Sequence, residues 1–368
     1  MANMDDESAD VAALEHPFSY VHSGNFPHLL ASSKISLLVS TYQAGKLMVI
    51  RAGDDNKLST LLRSYERPMG LAVRPGRIAV GTRRQVWQLH DAPDIARQLD
   101  PRGRHDACFV PRTSHVTGDF RGHEIAWVGD ELWIVNTRFS CLCTLDPEYS
   151  FVPRWRPPFV SSLVAEDRCH LNGLAVDQGQ AKYVTAHGRT DEQEGWRSGK
   201  ANGGVLIDVP TGQIVVDDLS MPHSPRVYDG KVWLLNSGRG ELAVVDADAG
   251  RITTVTRLPG YTRGLAFHEH CAFIGLSKIR ETATFGGVPI ADDLENRKCG
   301  VYVVDIRTGQ TAAFLEFETG CEEIFDVQVL AEVQCPAVIG FAKDTINGIF
   351  VAPPGAWNTA PEQSSQSD

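Results

Sequence analysis

Three stretches of this chain copy one another: LIDVPTGQ (Leu206–Gln213), VVDADAGR (Val244–Arg251) and VVDIRTGQ (Val303–Gln310). Each reads as two apolar residues, an Asp, three variable residues and a Gly. The Asp side chain can accept from backbone N–H groups ahead of it, and the Gly supplies a positive-φ position, so each copy is expected to be a tight hairpin between two strands. A second repeat, strand–turn–strand, recurs as MGLAVRPGRIAV (Met69–Val80), NGLAVDQGQAKYV (Asn172–Val184) and RGLAF (Arg263–Phe267), with weaker copies near His28, at His123, at His223 and near Phe325. Repetition at about 30 to 60 residues indicates the blades of a propeller.

Counting from the inner strand outwards, units begin near residues 27, 68, 122, 169, 222, 262 and 325. The last lacks an outer strand after Val351, and Phe18–His22 is placed to supply it from the N-terminus. The expectation is an all-β, single β-propeller of seven four-stranded blades closed by an N-terminal strand. Six blades is the alternative if the first unit is overcounted.

Composition sets the limits of that reading. The propeller is expected over residues 15–354, flanked by polar, small-residue segments at 1–14 and 355–368 with the composition of disordered tails. No run of about 18 apolar residues offers a membrane span. The opening MANMDDESAD is acidic where a secretory signal is basic and then apolar, so a cytoplasmic location is expected. Cys108, Cys141, Cys143, Cys169, Cys271, Cys299, Cys321 and Cys335 include no CxxC pair and lie mostly in apolar strands, which favours buried thiols over disulfides or zinc. A net charge of −11 argues against nucleic acid as partner.

In a propeller, the turns from each blade's second to third strand emerge around one mouth of the central channel, together with the connections between blades. Every such turn carries a cation: Lys46, Arg83 with Arg84, Arg138, Arg189, Arg239, Lys278 with Arg280, and Lys343. Two uses are open. The cations pair with neighbouring carboxylates to tie blades together, or they form a mouth that draws in carboxylate or phosphate groups.

Aligning the inner strands by their turns puts Met69, His123, Asn172, His223, Arg263 and Phe325 at one position, with Glu124 and Asp326 one step further in and His170 two residues before Asn172. Three imidazoles and two carboxylates thus converge from blades far apart in sequence. Neutral imidazole is a good ligand for a borderline divalent metal, and three with an open position is an arrangement catalytic metals use. His123, His170 and His223 are the candidate ligands, with Glu124 or Asp326 as ligand or base; acid–base, ligand-binding and structural roles stay open for the same histidines.

Two turns on this face are long, His187–Val205 and Lys278–Gly300, and flank the blade of His223. Long loops in a compact domain are commonly lids or binding loops, and Trp196 and Phe285 are placed to exclude water or to pack each loop on its blade. Other signals carry little. DADAG at Asp246 lacks the later Glu of a calcium loop, Ser224 lacks a GxSxG context, and the GlyGly pairs at Gly203 and Gly286 have no P-loop pattern.

STYQAGKL (Ser40–Leu47), WIVNTRFSCL (Trp133–Leu142), EDRCHLNGLA (Glu166–Ala175), MPHSPR (Met221–Arg226) and GLSKIRE (Gly275–Glu281) resemble a bacterial family of propeller-like proteins, over nearly all of residues 17–353. The resemblance implies the fold and brings no activity with it. NGLAVD (Asn172–Asp177) is also similar to the inner strand of gluconolactonase-type and NHL-type propellers. In the former a channel metal is held by Glu and Asn or Asp residues; Asn172 falls on that pattern, Glu124 and Asp326 are arguable members, and the histidines depart from it.

The expected function is that of an enzyme acting on a small anionic substrate at the channel mouth, assisted by a divalent transition metal on His123, His170 and His223. Arg138, Arg189, Asn172, Arg226, Arg239, Arg263 and Arg280 are the candidate substrate-binding residues; Glu124, His187 and Asp326 are candidates for proton transfer. Hydrolysis, elimination and isomerisation are equally open, and no nucleotide cofactor, membrane or nucleic acid is expected. The alternative is a non-catalytic propeller that binds a ligand or a protein partner on the same face.

Overall fold

A computed structural model describes residues 18–278, 287–292, 297–341 and 344–353. The expectations for 1–14 and 355–368, and the positions of Arg280, Phe285 and Lys343, lie outside them.

Six antiparallel sheets surround a central channel. From the inner strand outwards, blade 1 is Asp326–Ala331, Ile35–Thr41, Lys46–Ala52 and Leu58–Ser64; blade 2 is Leu71–Arg74, Arg77–Gly81, Gln85–Asp91 and Ala107–Val116; blade 3 is Gly122–Val128, Glu131–Asn136, Cys141–Thr144 and Val152–Trp155. Blade 4 is Leu171–Asp177, Gln180–Ala186, Gly204–Asp208 and Ile214–Leu219; blade 5 is Pro222–Tyr228, Lys231–Asn236, Glu241–Asp246 and Arg251–Arg257; blade 6 is Tyr261–His268, Cys271–Ser277, Gly300–Asp305 and Gln310–Thr319.

Blade 1 corrects the count of seven. The units beginning near residues 27 and 325 are two parts of one blade: Asp326–Ala331 pairs antiparallel with Ile35–Thr41, from Ser40↔Asp326 to Ile35↔Ala331. The ring is therefore closed by a C-terminal strand in the innermost position. The N-terminal strand Ser19–His22 exists, but it adds a fifth, outermost strand to blade 6 against Leu315–Thr319. At the other end, Pro336–Val338 adds in parallel to the outer strand of blade 2. What precedes blade 1 is a helix, Phe26–Ser32, which buries Phe26 and Leu30 between blades 6 and 1.

Each pair of adjacent blades encloses its own apolar cluster. In Ile35–Thr41, Leu37 and Val39 face blade 6 whereas Leu38 faces blade 2, the period-two alternation of a strand. Because both faces are covered, the middle strands read as continuous apolar runs rather than as alternating ones. The repeated hairpins form as expected. Asp208 accepts from the N–H of Thr211 at 3.1 Å, Asp246 from Ala249 at 3.0 Å and Asp305 from Arg307 at 2.9 Å, and Gly212, Gly250 and Gly309 hold φ of 70°, 63° and 73°. All eight cysteines are free thiols. Among the described residues no helix is long and apolar enough to cross a membrane.

The inner strands meet through two alternating kinds of seam. Gly70, Glu124, Gly173, Ser224, Gly264 and Asp326 occupy one level on blades 2, 3, 4, 5, 6 and 1. The three polar members bridge to the next blade: Glu124 Oε2 accepts from Leu174 N at 3.2 Å, Ser224 Oγ from Gly264 N at 3.1 Å, and Asp326 Oδ2 from Leu71 N at 2.8 Å. At the three glycines the next strand comes too close for a side chain. A Cβ would lie 2.6 Å from the His123 carbonyl oxygen at Gly70, 2.3 Å from Pro225 Cδ at Gly173, and 2.6 Å from Val327 N at Gly264.

Candidate functional site

A cavity of about 480 Å³ opens at the mouth of the channel, within the size range of small-molecule sites. Its floor carries the aligned residues Met69, His123, His223, Arg263 and Phe325; Asn172, the sixth, lines the constriction beneath. Above them, two residues earlier on each blade, stand Arg67, Arg121, His170, Met221, Tyr261 and Glu323. All but Tyr261 lie in the connections just before the inner strands, so the second ring is built by the chain as it enters each blade. Four of its members hold left-handed backbones, with φ of 48° at Arg67, 53° at Arg121, 50° at His170 and 45° at Met221. Such conformations cost about 1–3 kcal/mol each and gather at functional sites.

The histidines meet as a chain. Ring centroids are 4.8 Å apart for His123 and His170, 4.4 Å for His170 and His187, and 4.9 Å for His187 and His223. His123 Nδ1 lies 3.2 Å from the Arg121 carbonyl oxygen and 2.8 Å from Thr137 Oγ1; His223 Nδ1 lies 3.0 Å from the Met221 carbonyl oxygen and 3.0 Å from Ser237 Oγ. His170 Nδ1 reaches both oxygens of Asp167, at 2.9 and 3.1 Å, and Arg121 supports that carboxylate from 3.2 Å. Burial pushes His123, His187 and His223 well below the ordinary imidazole range; His170 repels His123 and His187 further, as Arg263 does His223. They are neutral at pH 7.

Beside them Arg263 lays its guanidinium 3.4 Å from the centre of the Phe325 ring, and no carboxylate of the described residues lies within ion-pair distance of it. Burial lowers its pKa, and Glu323 and Asp326 act on it only through space. Among the described residues, other polar atoms here also lack hydrogen-bond partners: both ring nitrogens of His187, Nδ2 of Asn172 and Nε1 of Trp196.

The channel narrows below to about 10 Å³, room for about one water, and then opens into a separate cavity of about 180 Å³. Glu124 and Arg226 line that lower cavity. Arg226 pairs with Glu124 through Nη1, stands 4.0 Å from Asp326 through Nη2, and donates from Nε to the Leu265 carbonyl at 2.8 Å. Burial raises the pKa of both carboxyls, against the attraction of Arg226.

His123, His170, His187, His223, Arg263 and Asn172 thus come together at or just under the mouth, while Glu124, Arg226 and Asp326 lie beneath it, bonded to one another and to the backbone. Three expected anion ligands stand elsewhere. Arg138 donates to the Asp119 carbonyl at 3.0 Å, and Arg189 and Arg239 are exposed; none lines the cavity. Their turns reach the site through other residues, Thr137, His187 and Ser237, and of the turn cations among the described residues only Arg83 contributes to the lining, paired with Asp119 at 3.1 Å. The arginines that line the mouth come instead from interblade connections (Arg67, Arg121), from an inner strand (Arg263) and from a long loop (Arg197). Sequence reasoning passed over Asp167, although an Asp three residues before His170 was in plain view. The two long loops meet: Trp196 and Val288 pack with Met221 and Tyr261 over blade 5.

The profile of a protein family described as "Domain of unknown function (DUF4915)" matches residues 24–339. No curated protein matches the chain. Among solved structures, a chain of a nidogen/laminin complex aligns with a TM-score of 0.53 at 10% identity, over 82% of this chain and 100% of that one. A protein of unknown function from Bacteroides caccae aligns with a TM-score of 0.51 at 11% identity, over 80% and 98%. At these identities the likeness is one of fold.

Proposed function

The chain belongs to the DUF4915 family, and from the mouth described above we propose that it is an enzyme acting on a small anionic substrate. The observation that carries the proposal is Arg263: a largely enclosed cation with no carboxylate of the described residues paired to it, stacked on Phe325 and bordering four imidazoles. A desolvated guanidinium is costly unless an anion reaches it, and its fork suits a carboxylate or phosphate. Asn172 Nδ2, an unused donor beneath, suits the same ligand.

Chemistry would fall to the imidazoles. His170 donates from Nδ1 to Asp167, which fixes its tautomer and leaves Nε2 as a proton acceptor, the geometry of an oriented general base. His123, His187 and His223, kept neutral, add acceptors or ligands rather than positive charge. Trp196 and Tyr261, buried in the wall, keep water out of a site where proton transfer gains from low dielectric. Bond cleavage next to the anionic group by an abstracted proton or an activated water is the reaction type this set supports.

Calorimetric or thermal-shift screening against small carboxylates and phosphates tests the proposal. Binding is expected with wild type and lost in Arg263→Gln, and Arg263→Lys should not restore it because an ammonium cannot form the fork. Turnover within the bound class should vanish in His170→Gln. Anions that bind wild type and Arg263→Gln alike would remove the substrate class; binding without turnover would leave a ligand-binding propeller.

A further inference from the structure

We infer that His123, His170, His187 and His223 hold a single divalent transition-metal ion through Nε2, with His187 as a fourth ligand and Asp167 as the carboxylate that orients His170. A metal there would deepen the proposed function, since both rest on the same mouth, but what supports it is the state of the imidazole nitrogens and not Arg263.

A carbonyl oxygen can only accept a hydrogen bond. His123 Nδ1 beside the Arg121 carbonyl and His223 Nδ1 beside the Met221 carbonyl therefore carry their protons, and so does His170 Nδ1 between the oxygens of Asp167. In His123 and His223, which burial keeps neutral, Nε2 is left with a bare lone pair, and in the neutral form of His170 the same tautomer puts one there too. Metal-bound histidines are held in this way almost without exception, the second nitrogen donating to a backbone carbonyl or a carboxylate. His187 completes the set by a different route. It is only 1% exposed, and neither of its nitrogens has a partner. A buried imidazole with both nitrogens idle calls for a ligand that protein groups do not provide.

A nitrogen-only donor set suits zinc, iron, cobalt, nickel or copper and does not suit calcium or magnesium, which take oxygen ligands. Asp167 is occupied by His170 and Arg121, so it acts through His170. Four neutral ligands leave the ion its full double charge close to Arg263; an anion set between them would neutralise both.

As they stand, no three His, Cys, Asp or Glu side chains among the described residues bring their donor atoms to one coordination point. The rings are packed as neighbours, with His170 and His187 stacked at 22°. His123, His170 and His223 are anchored at Nδ1, whereas nothing bonds the ring of His187, and the χ2 torsion of histidine is soft. Because the anchored trio does not itself meet at one point, loading has to shift all four rings, with His187, which nothing bonds, turning furthest, and its environment should change on metal binding.

The test uses the full chain without an affinity tag, produced in metal-supplemented medium, with no anionic ligand added. Elemental analysis should find one transition-metal ion per chain, and Co²⁺ added to stripped protein should give a saturable d–d spectrum. In His187→Gln that spectrum should change in shape and intensity as a nitrogen ligand is lost, and Asp167→Asn should weaken affinity about 10- to 100-fold in chelator competition. A His123→Gln, His223→Gln protein, shown folded by circular dichroism, should bind no Co²⁺; should it not fold, the His187 and Asp167 variants decide. The inference is overturned if stripped wild type shows no saturable binding of Zn²⁺, Co²⁺ or Fe²⁺, or if the His187→Gln spectrum and the Asp167→Asn affinity match wild type. Metal is read without substrate and anion binding is read through Arg263, so either result can fail while the other stands.

Discussion

Two groups of buried polar residues sit one above the other on the axis of this propeller, and they differ in whether their bonds are made. In the throat, Arg226 is met by Glu124 and Asp326, and both carboxylates also accept backbone N–H groups from neighbouring blades. In the mouth, among the described residues, Arg263 lies on the Phe325 ring without a paired carboxylate, and His187 at both nitrogens and Asn172 at Nδ2 have no hydrogen-bond partner. Buried polar groups are satisfied almost everywhere in folded proteins, so satisfaction separates the roles. The throat spends its polar groups on holding the ring together. The mouth leaves several of its polar groups unbonded by the described residues.

The sharpest way to break that contrast is to remove each arginine in turn. Arg226→Met strands two buried carboxylates and should cost about 3–5 kcal/mol in urea unfolding. Arg263→Met gives up a cation–π contact and also an unpaired cation, so it should cost no more than about 1–2 kcal/mol. Equal losses would mean that Arg263 has a structural duty and that the mouth is a second throat.

The parts of this contrast that the sequence exposed were the local ones. The hairpins announce themselves through Asp208, Asp246 and Asp305 with their glycines, because the side-chain bonds span only three or four residues. The inner-strand alignment is equally local, and it placed His123, Asn172, His223 and Arg263 at one level. The blade count failed because closure pairs Asp326 with Ser40, a contact between opposite ends of the chain, so two halves of one blade were read as two units. The turn cations are another matter: a sequence shows that Arg189 and Arg239 sit on that face but not that their side chains are exposed and outside the cavity lining. Glu124 and Asp326 look like proton-transfer residues in one dimension, and their bonds to Leu174 and Leu71 appear only when the blades are assembled.

The two kinds of seam in the throat give a second, smaller contrast. Gly264 holds φ of +80°, and a Cβ there would meet Val327 N at 2.6 Å and Asp326 Cα at 2.7 Å. Gly264→Ala adds a methyl to a closed backbone contact and strains the chain, a loss of about 2–4 kcal/mol. Ser224→Ala removes one buried acceptor from the Gly264 N–H and should cost about 1–3 kcal/mol. Chemical denaturation of both variants checks the ranking; Ser224→Ala losing more than Gly264→Ala would show that the bridges, not the close contacts, hold the ring.

The smallest effect falls on His187, and its sign is the informative part. Replacing a well-bonded buried histidine leaves its former partners unsatisfied: His223→Phe deprives the Met221 carbonyl and Ser237 Oγ, and should cost about 1–3 kcal/mol. His187→Phe deprives no protein atom, because neither ring nitrogen is bonded, and it keeps an aromatic ring against His170 and Trp196. Its stability should stay within about 1 kcal/mol of the parent, and a gain is as acceptable as a small loss, since an unsatisfied polar ring leaves the core. The comparison must be made by thermal or urea unfolding on protein stripped with EDTA, so that loss of a bound ion in the variant is not counted as loss of packing. If His187→Phe then costs as much as His223→Phe, the imidazole of His187 serves the fold, and the division between a satisfied throat and a mouth with polar groups left unbonded fails at its most buried residue.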